Sequence, residues 1–181
     1  SLLGMFLKIK DIHLLLILKQ TAIDFIKMLP LDITEVAIAS FNQNINLACD
    51  FTHDIQRLNN ALDDLIPYGG TSFNNAFLTE FSGAIDISRQ GKYSKVVVFI
   101  TDGLSEASYE EITQRALRDT IHISCITVEL QISEDLQYIA KETGGSFYSD
   151  LSSKNDIDLA LKKIYSNLQE HTYGKLEWIL N

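Results

Sequence analysis

Two short segments carry oxygen donors at places where a ligand could use them. Thr101, Asp102 and Gly103 follow the apolar run KVVVFI at Lys95–Ile100, so a carboxylate stands at the end of a buried strand and a glycine lets the backbone turn away. Gly69, Gly70, Thr71 and Ser72 make a tight turn that delivers two hydroxyls to the start of a helix. In an open parallel sheet, ligands collect beyond the carboxyl ends of the strands, near the point where strand order reverses. An oxygen-only set of carboxylate and hydroxyl suits a hard cation such as Mg²⁺, which keeps several waters and takes few protein ligands. Each segment alone is ordinary. An Asp after a strand most often turns the chain or caps a helix, and Gly-Gly-Thr is equally a turn followed by an N-cap. Their joint occurrence, with a helix beginning at Phe73 and a buried strand leading to Asp102, singles them out.

Other chemistry is sparse. The histidines at 13, 53, 122 and 171 never share an element at metal-ligand spacing. There is no Gly-x-Ser-x-Gly elbow, phosphate-cradling glycine loop, dinucleotide fingerprint or His-Glu-x-x-His helix. Asp63-Asp64 and Glu110-Glu111 suit solvated helix faces better than paired acid–base catalysis.

Short apolar runs rich in branched residues alternate with longer amphipathic stretches, the pattern of an α/β fold with a mainly parallel sheet. Strands are expected at His13–Leu18, Glu35–Phe41, Lys95–Ile100 and His122–Val128, with a weaker edge strand at Asn46–Phe51. Helices are expected over Gln20–Leu29, Asp54–Ile66, Ser72–Arg89, Ser108–Thr120, Ser133–Thr143 and Asn155–His171. Ser108 and Glu111 have capping-box spacing. Residues 2–10 and 173–180 fall outside this alternation and read as extra strands, paired with each other or belonging to a neighbouring unit. The expected division is therefore 1–10 as a strand or linker from a flanking unit, 11–171 as the domain, and 172–181 as a C-terminal strand or the start of a further unit. On that division the domain sits within a longer, multidomain polypeptide.

The 181 residues are 46% hydrophobic and 22% charged with only two prolines, which describes one compact domain and excludes disorder. A formal charge of −9 gives no electrostatic footprint for phosphate backbones, so nucleic acid is not an expected partner. The longest unbroken apolar stretches, Leu14–Leu18 and Val96–Ile100, fall far short of the ~20 residues of a membrane span. A disulfide between Cys49 and Cys125 would need their Cα atoms within ~7 Å.

KQTAIDFIKMLP, EVAIASFNQ, GGTSFNNAF and VVVFITDG together resemble the von Willebrand factor A family, which includes the inserted domain of integrins, from Asp11 to about Gln169. The resemblance implies a three-layer, doubly wound α/β sheet of six mostly parallel strands with one antiparallel edge and helices on both faces. It places Cys49 on an edge strand and Cys125 on the fifth strand, several ~4.8 Å spacings apart, as two buried thiols. It also implies a non-enzymatic protein-binding or adhesion module that holds Mg²⁺ (or Mn²⁺ or Ca²⁺) at a metal-ion-dependent adhesion site, where an acidic residue of a protein ligand completes the coordination. Thr71 and Asp102 match two of the three metal loops, with Gly70, Ser72 and Gly103 as the ligand-binding rim. A secreted or cell-surface setting follows from family tendency only. The third motif, Asp-x-Ser-x-Ser between first strand and first helix, is absent after Leu18. A strand that runs straight into a helix has no room to turn, because such connections use ~2–6 residues. The expectation is therefore a missing loop between Leu18 and Lys19, and without it only weak or no metal binding. Two alternatives stand beside adhesion: a metal-free scaffold that binds partners through helix faces, and a metal-dependent hydrolase of similar topology.

Overall fold

The computed structural model describes residues 1–67, 69–91 and 94–177. Its first element, β1 (Leu2–Lys8), is buried at every position. The chain then forms α1 (Ile12–Met28), β2 (Glu35–Phe41), β3 (Ile45–Thr52), α2 (Ile55–Asp63), α3 (Phe73–Leu78), α4 (Ala84–Ser88), β4 (Lys95–Thr101), α5 (Tyr109–Arg118), β5 (Ile121–Val128), α6 (Glu134–Glu142), β6 (Phe147–Leu151) and α7 (Lys154–Glu177). The strands make one six-stranded sheet in the order β3-β2-β1-β4-β5-β6. All neighbours are parallel except β2 and β3, which form the antiparallel edge. This is the three-layer, doubly wound α/β architecture expected from the sequence.

Alternation along the strands sorts the core into two faces. Leu3, Met5 and Leu7 of β1, with Val96, Val98 and Ile100 of β4, pack against Leu18, Phe25, Leu62 and Leu161 of α1, α2 and α7. Phe6, Val97, Phe99 and Cys125 face the other way, toward Phe73, Phe77, Ile85, Ile112 and Ile139 of α3 to α6. Gly4 makes room on that second face, since a Cβ there would lie 2.7 Å from the Phe6 ring. Cys49 belongs to the first face and Cys125 to the second, both are free thiols, and the sheet lies between them.

The structure corrects several expectations at the start of the chain. Leu2–Lys8 is neither a flanking-unit strand nor a linker: it is a central strand, hydrogen-bonded to β2 on one side and β4 on the other. His13–Leu18 is not a strand but the first turns of α1, with Leu14, Leu15, Leu18, Ala22, Phe25 and Ile26 buried at helical spacing. Asp11 begins that helix by accepting from the backbone amides of His13 and Leu14 at 2.9 and 3.0 Å. Leu18 and Lys19 are therefore consecutive residues inside an unbroken helix, and the proposed missing loop between them is withdrawn. The true strand-to-helix connection is Ile9–Asp11.

Further along, the single helix expected over Ser72–Arg89 is two short ones. A Cβ at Gly83 would lie 2.6 Å from the Phe77 carbonyl oxygen, and Phe81 stands 78% exposed at φ 65° instead of on an apolar stripe. Ser108 makes no side-chain cap; its own N–H donates to Asn74 Oδ1 at 2.7 Å. Residues 173–177, expected as strand, continue α7, because no proline follows Ser153 and a lone glycine costs a helix only ~1 kcal/mol. The rest of that expected strand, 178–180, lies outside the described residues.

Candidate functional site

The chain leaves β1 in one direction to build β2 and β3, and in the other to build β4, β5 and β6, so strand order reverses between β1 and β4. The carboxyl ends of these two strands are Lys8 and Thr101, which are paired in register. Asp102 follows immediately, and its N–H donates to the Lys8 carbonyl at 3.1 Å. The carboxylate singled out from sequence therefore stands at the crevice where such sheets bind ligands.

Three loops meet around it. The Gly-Gly-Thr turn is tied to the β2–β3 turn: Ser72 N–H donates to the Asn42 carbonyl at 2.8 Å, and the Asn75 side-chain amide donates to the Gln43 carbonyl. Gly70 turns the chain at φ 79°, and a Cβ there would sit 3.1 Å from Gln43. Ser72 caps α3 by accepting from Asn75 N–H at 3.3 Å. Phe73 and Phe77 then anchor α3 on Phe99 of β4, edge-on at a centroid distance of 5.5 Å and stacked at 4.4 Å. Phe99 stands three residues before Asp102, so the aromatic packing that holds α3 also brings Thr71 toward the rim. Gly103 records the result: a Cβ there would collide with Thr71 Oγ1 and lie 3.0 Å from Lys8 Nζ. Thr71 thus stands beside Gly103 and Asp102, with Gly70 and Ser72 flanking it in the turn that is tied to Asn42 and Gln43.

A residue overlooked in the sequence occupies the centre. Lys8 Nζ donates to Asp102 Oδ1 at 2.8 Å, with both side chains almost wholly buried, at 2% and 5% exposure. The second oxygen, Oδ2, accepts from the backbone N–H of Lys10 at 2.8 Å. Each carboxylate oxygen thus accepts one hydrogen bond, from the last residue of β1 and from the connection that follows it. The only carboxylate in the β1–α1 connection, Asp11, is engaged as the cap of α1. The hydrogen bond from the Leu14 amide, opposed by burial and aided by a lesser one from the His13 amide, holds its carboxyl below the usual carboxylate range.

These residues do not fit a divalent cation. An ammonium already stands against the one buried carboxylate, and the β1–α1 connection reads Lys8-Ile9-Lys10-Asp11-Ile12 where a metal-binding loop would supply carboxylate and hydroxyls. A cation at Thr71 and Asp102 would have to displace a bonded ammonium and meet its charge at contact distance. Among the described residues, no group of three or more His, Cys, Asp or Glu side chains could hold a metal ion.

The family model described as von Willebrand factor type A domain matches residues 13–167. This chain belongs to that family. The match begins after the Lys8–Ile12 connection, so the segment that carries the unusual lysine lies outside it. Solved structures agree on the fold. The vWF domain of the type V pili tip protein Mfa5 from Porphyromonas gingivalis is 11% identical, with 93% of this chain and 94% of that one covered at a TM-score of 0.72. The conserved hypothetical protein BatB from Bacteroides thetaiotaomicron is 15% identical over 93% of this chain and 98% of its own, at 0.69. Proximal thread matrix protein 1 from the mussel byssus, in a form with a zinc-occupied MIDAS motif, is 16% identical over 91% of this chain and 44% of its own, also at 0.69. No curated protein matches. A von Willebrand factor A domain is a protein-interaction module, and among the described residues this one has no helix long and apolar enough to cross a membrane.

Proposed function

We propose that this von Willebrand factor A domain is a non-enzymatic protein-recognition module that meets its partner at the rim built by the ends of β1 and β4 and the Gly-Gly-Thr turn. The observation that carries the reading is the convergence of Thr71, Gly103 and Asp102 at the strand-order reversal, on a family scaffold used for protein interaction. The rim offers an apolar contact beside it, since Leu104, next to Gly103, is 64% exposed. A zinc-occupied MIDAS motif is a feature of the mussel protein. For this chain, the bonded state of both Asp102 oxygens favours recognition without a divalent cation.

A hydrolase is disfavoured on the same ground. Asp102 is engaged by the Lys8 ammonium and the Lys10 amide, and a general base must instead be placed against the substrate proton that it takes. The competing reading, docking through a helix face, draws on Leu159 of α7, which is 53% exposed. The two are separated by using the full chain as bait with cross-linking mass spectrometry, and comparing the unsubstituted chain with Leu104→Arg and Leu159→Arg. Rim recognition predicts that Leu104→Arg loses the partner while Leu159→Arg keeps it. The reverse pattern overturns the rim and installs the helix face.

A further inference from the structure

We propose that Lys8 is a built-in replacement for the family's metal ion, a covalently tethered cation that clamps the ends of β1 and β4 beside the Gly-Gly-Thr turn and closes the site to a guest carboxylate. The inference deepens the rim reading by naming what stands at its centre.

A buried carboxylate needs a cation or several donors, because desolvation of an uncompensated charge costs several kcal/mol. In a metal-bearing domain that cation arrives from solution and can leave. Here it is supplied by the strand that ends beside Asp102: the Lys8 side chain is 2% exposed and its Nζ lies 2.8 Å from Oδ1. The tether makes the neutralisation independent of cation concentration.

Geometry places the ammonium where the ends of β1 and β4 come beside the Gly-Gly-Thr turn. Its bond to Asp102 joins the ends of β1 and β4, reinforced by Lys10 N–H on Oδ2 and Asp102 N–H on the Lys8 carbonyl. The point over Gly103 that would clash with Thr71 Oγ1 is also 3.0 Å from Lys8 Nζ, so the Gly-Gly-Thr turn and the ammonium flank the same spot. A metal presents an open coordination position to a partner. This ammonium is bonded to Asp102 on a side chain only 2% exposed, so burial keeps an incoming carboxylate away from it. An acidic residue of the partner, the guest that the family resemblance implies, therefore has no cation to reach.

The test needs no partner, so its failure is separate from failure of the rim reading. Thermal unfolding of the full chain is followed in chelator and across a Mg²⁺ and Mn²⁺ titration into the millimolar range, alongside calorimetry with Mn²⁺. The unsubstituted chain is expected to keep the same Tm throughout and to give no saturable binding heat. Lys8→Asp is expected to have a lowered Tm in chelator and to regain it saturably with Mn²⁺, an effect lost when Asp102→Asn is added. A saturable rise in Tm for the unsubstituted chain overturns the proposal, as does a folded Lys8→Asp chain that ignores both cations. Should Lys8→Asp fail to fold at every cation concentration, Lys8→Gln is read instead. A Tm lowered by roughly 10 °C supports the clamp, and an unchanged Tm overturns it.

Discussion

Lys8 Nζ and Asp102 Oδ1 lie 2.8 Å apart across the junction of two adjacent parallel strands, at the point where the strand order of the sheet reverses. The pair joins residues 94 positions apart in sequence, and neither side chain has appreciable contact with water. Removing one member of such a pair leaves a buried charge without a partner. Removing both can be nearly neutral.

Crowding over Gly103 gives the first prediction. Gly103→Ala should destabilise the fold by ~1–3 kcal/mol, because the new methyl group meets Thr71 Oγ1 and the Lys8 ammonium. Adding Thr71→Ala should recover part of that loss. Urea denaturation of the two single variants and the double variant measures it; strict additivity would mean that Thr71 and Gly103 do not meet.

The aromatic anchor gives a second. Phe99 stacks with Phe41 at 4.6 Å and Phe77 at 4.4 Å, and meets Phe73 edge-on. Phe99→Ala should cost ~3–5 kcal/mol. Because α3 is held largely by these rings, its amides should lose hydrogen-exchange protection before those of β5. Uniform loss across the sheet would show that α3 has another anchor.

Thiol chemistry provides a pH dependence. Burial pushes the Cys125 thiol far above the usual thiol range, and burial raises Cys49 as well. In the unfolded chain both ionise near the ordinary ~8.5, so above that pH the native state binds more protons than the unfolded state and stability falls as pH rises. The loss for Cys125 alone is up to ~1.4 kcal/mol per pH unit. Cys125→Ala should flatten the slope of unfolding free energy between about pH 8.5 and 10. In native buffer neither thiol should react readily with a disulfide reagent, and both should react in denaturant; a disulfide already present in the native chain would contradict their placement on opposite faces.

Much of this arrangement is legible in the chain. The branched run Lys95–Ile100 announces a strand buried on both faces, and the Asp after it falls at the sheet's carboxyl edge. Gly69-Gly70-Thr71-Ser72 announces a turn and a cap, which Ser72 provides. His13–Leu18 misleads because a short apolar run fits a buried strand and the covered side of a helix equally well. The deciding signal is Asp11, an N-cap residue directly before that run. Once α1 begins there, Leu2–Lys8 becomes the only segment able to serve as the first strand, and the lysine at its end faces the carboxylate after β4. Lys8 was hard to read because a lysine ending an apolar run ordinarily marks the return of the chain to solvent. Only its register with Thr101 reveals a buried partner. The break after α3 was hidden for a different reason: Phe81 continues the apolar spacing, while its backbone adopts a positive φ that spacing cannot report.

The claim that Lys8 serves as the site's own cation is tested most directly by a double-mutant cycle in the presence of chelator. Unfolding free energies are measured for the unsubstituted chain, Lys8→Met, Asp102→Ala and the combined variant. The structure predicts that each single change costs ~3–5 kcal/mol and that the combined change costs much less than their sum, with a coupling above ~2 kcal/mol. Single changes that add to within ~0.5 kcal/mol would mean that the ammonium and the carboxylate do not act as a pair, and would contradict the account.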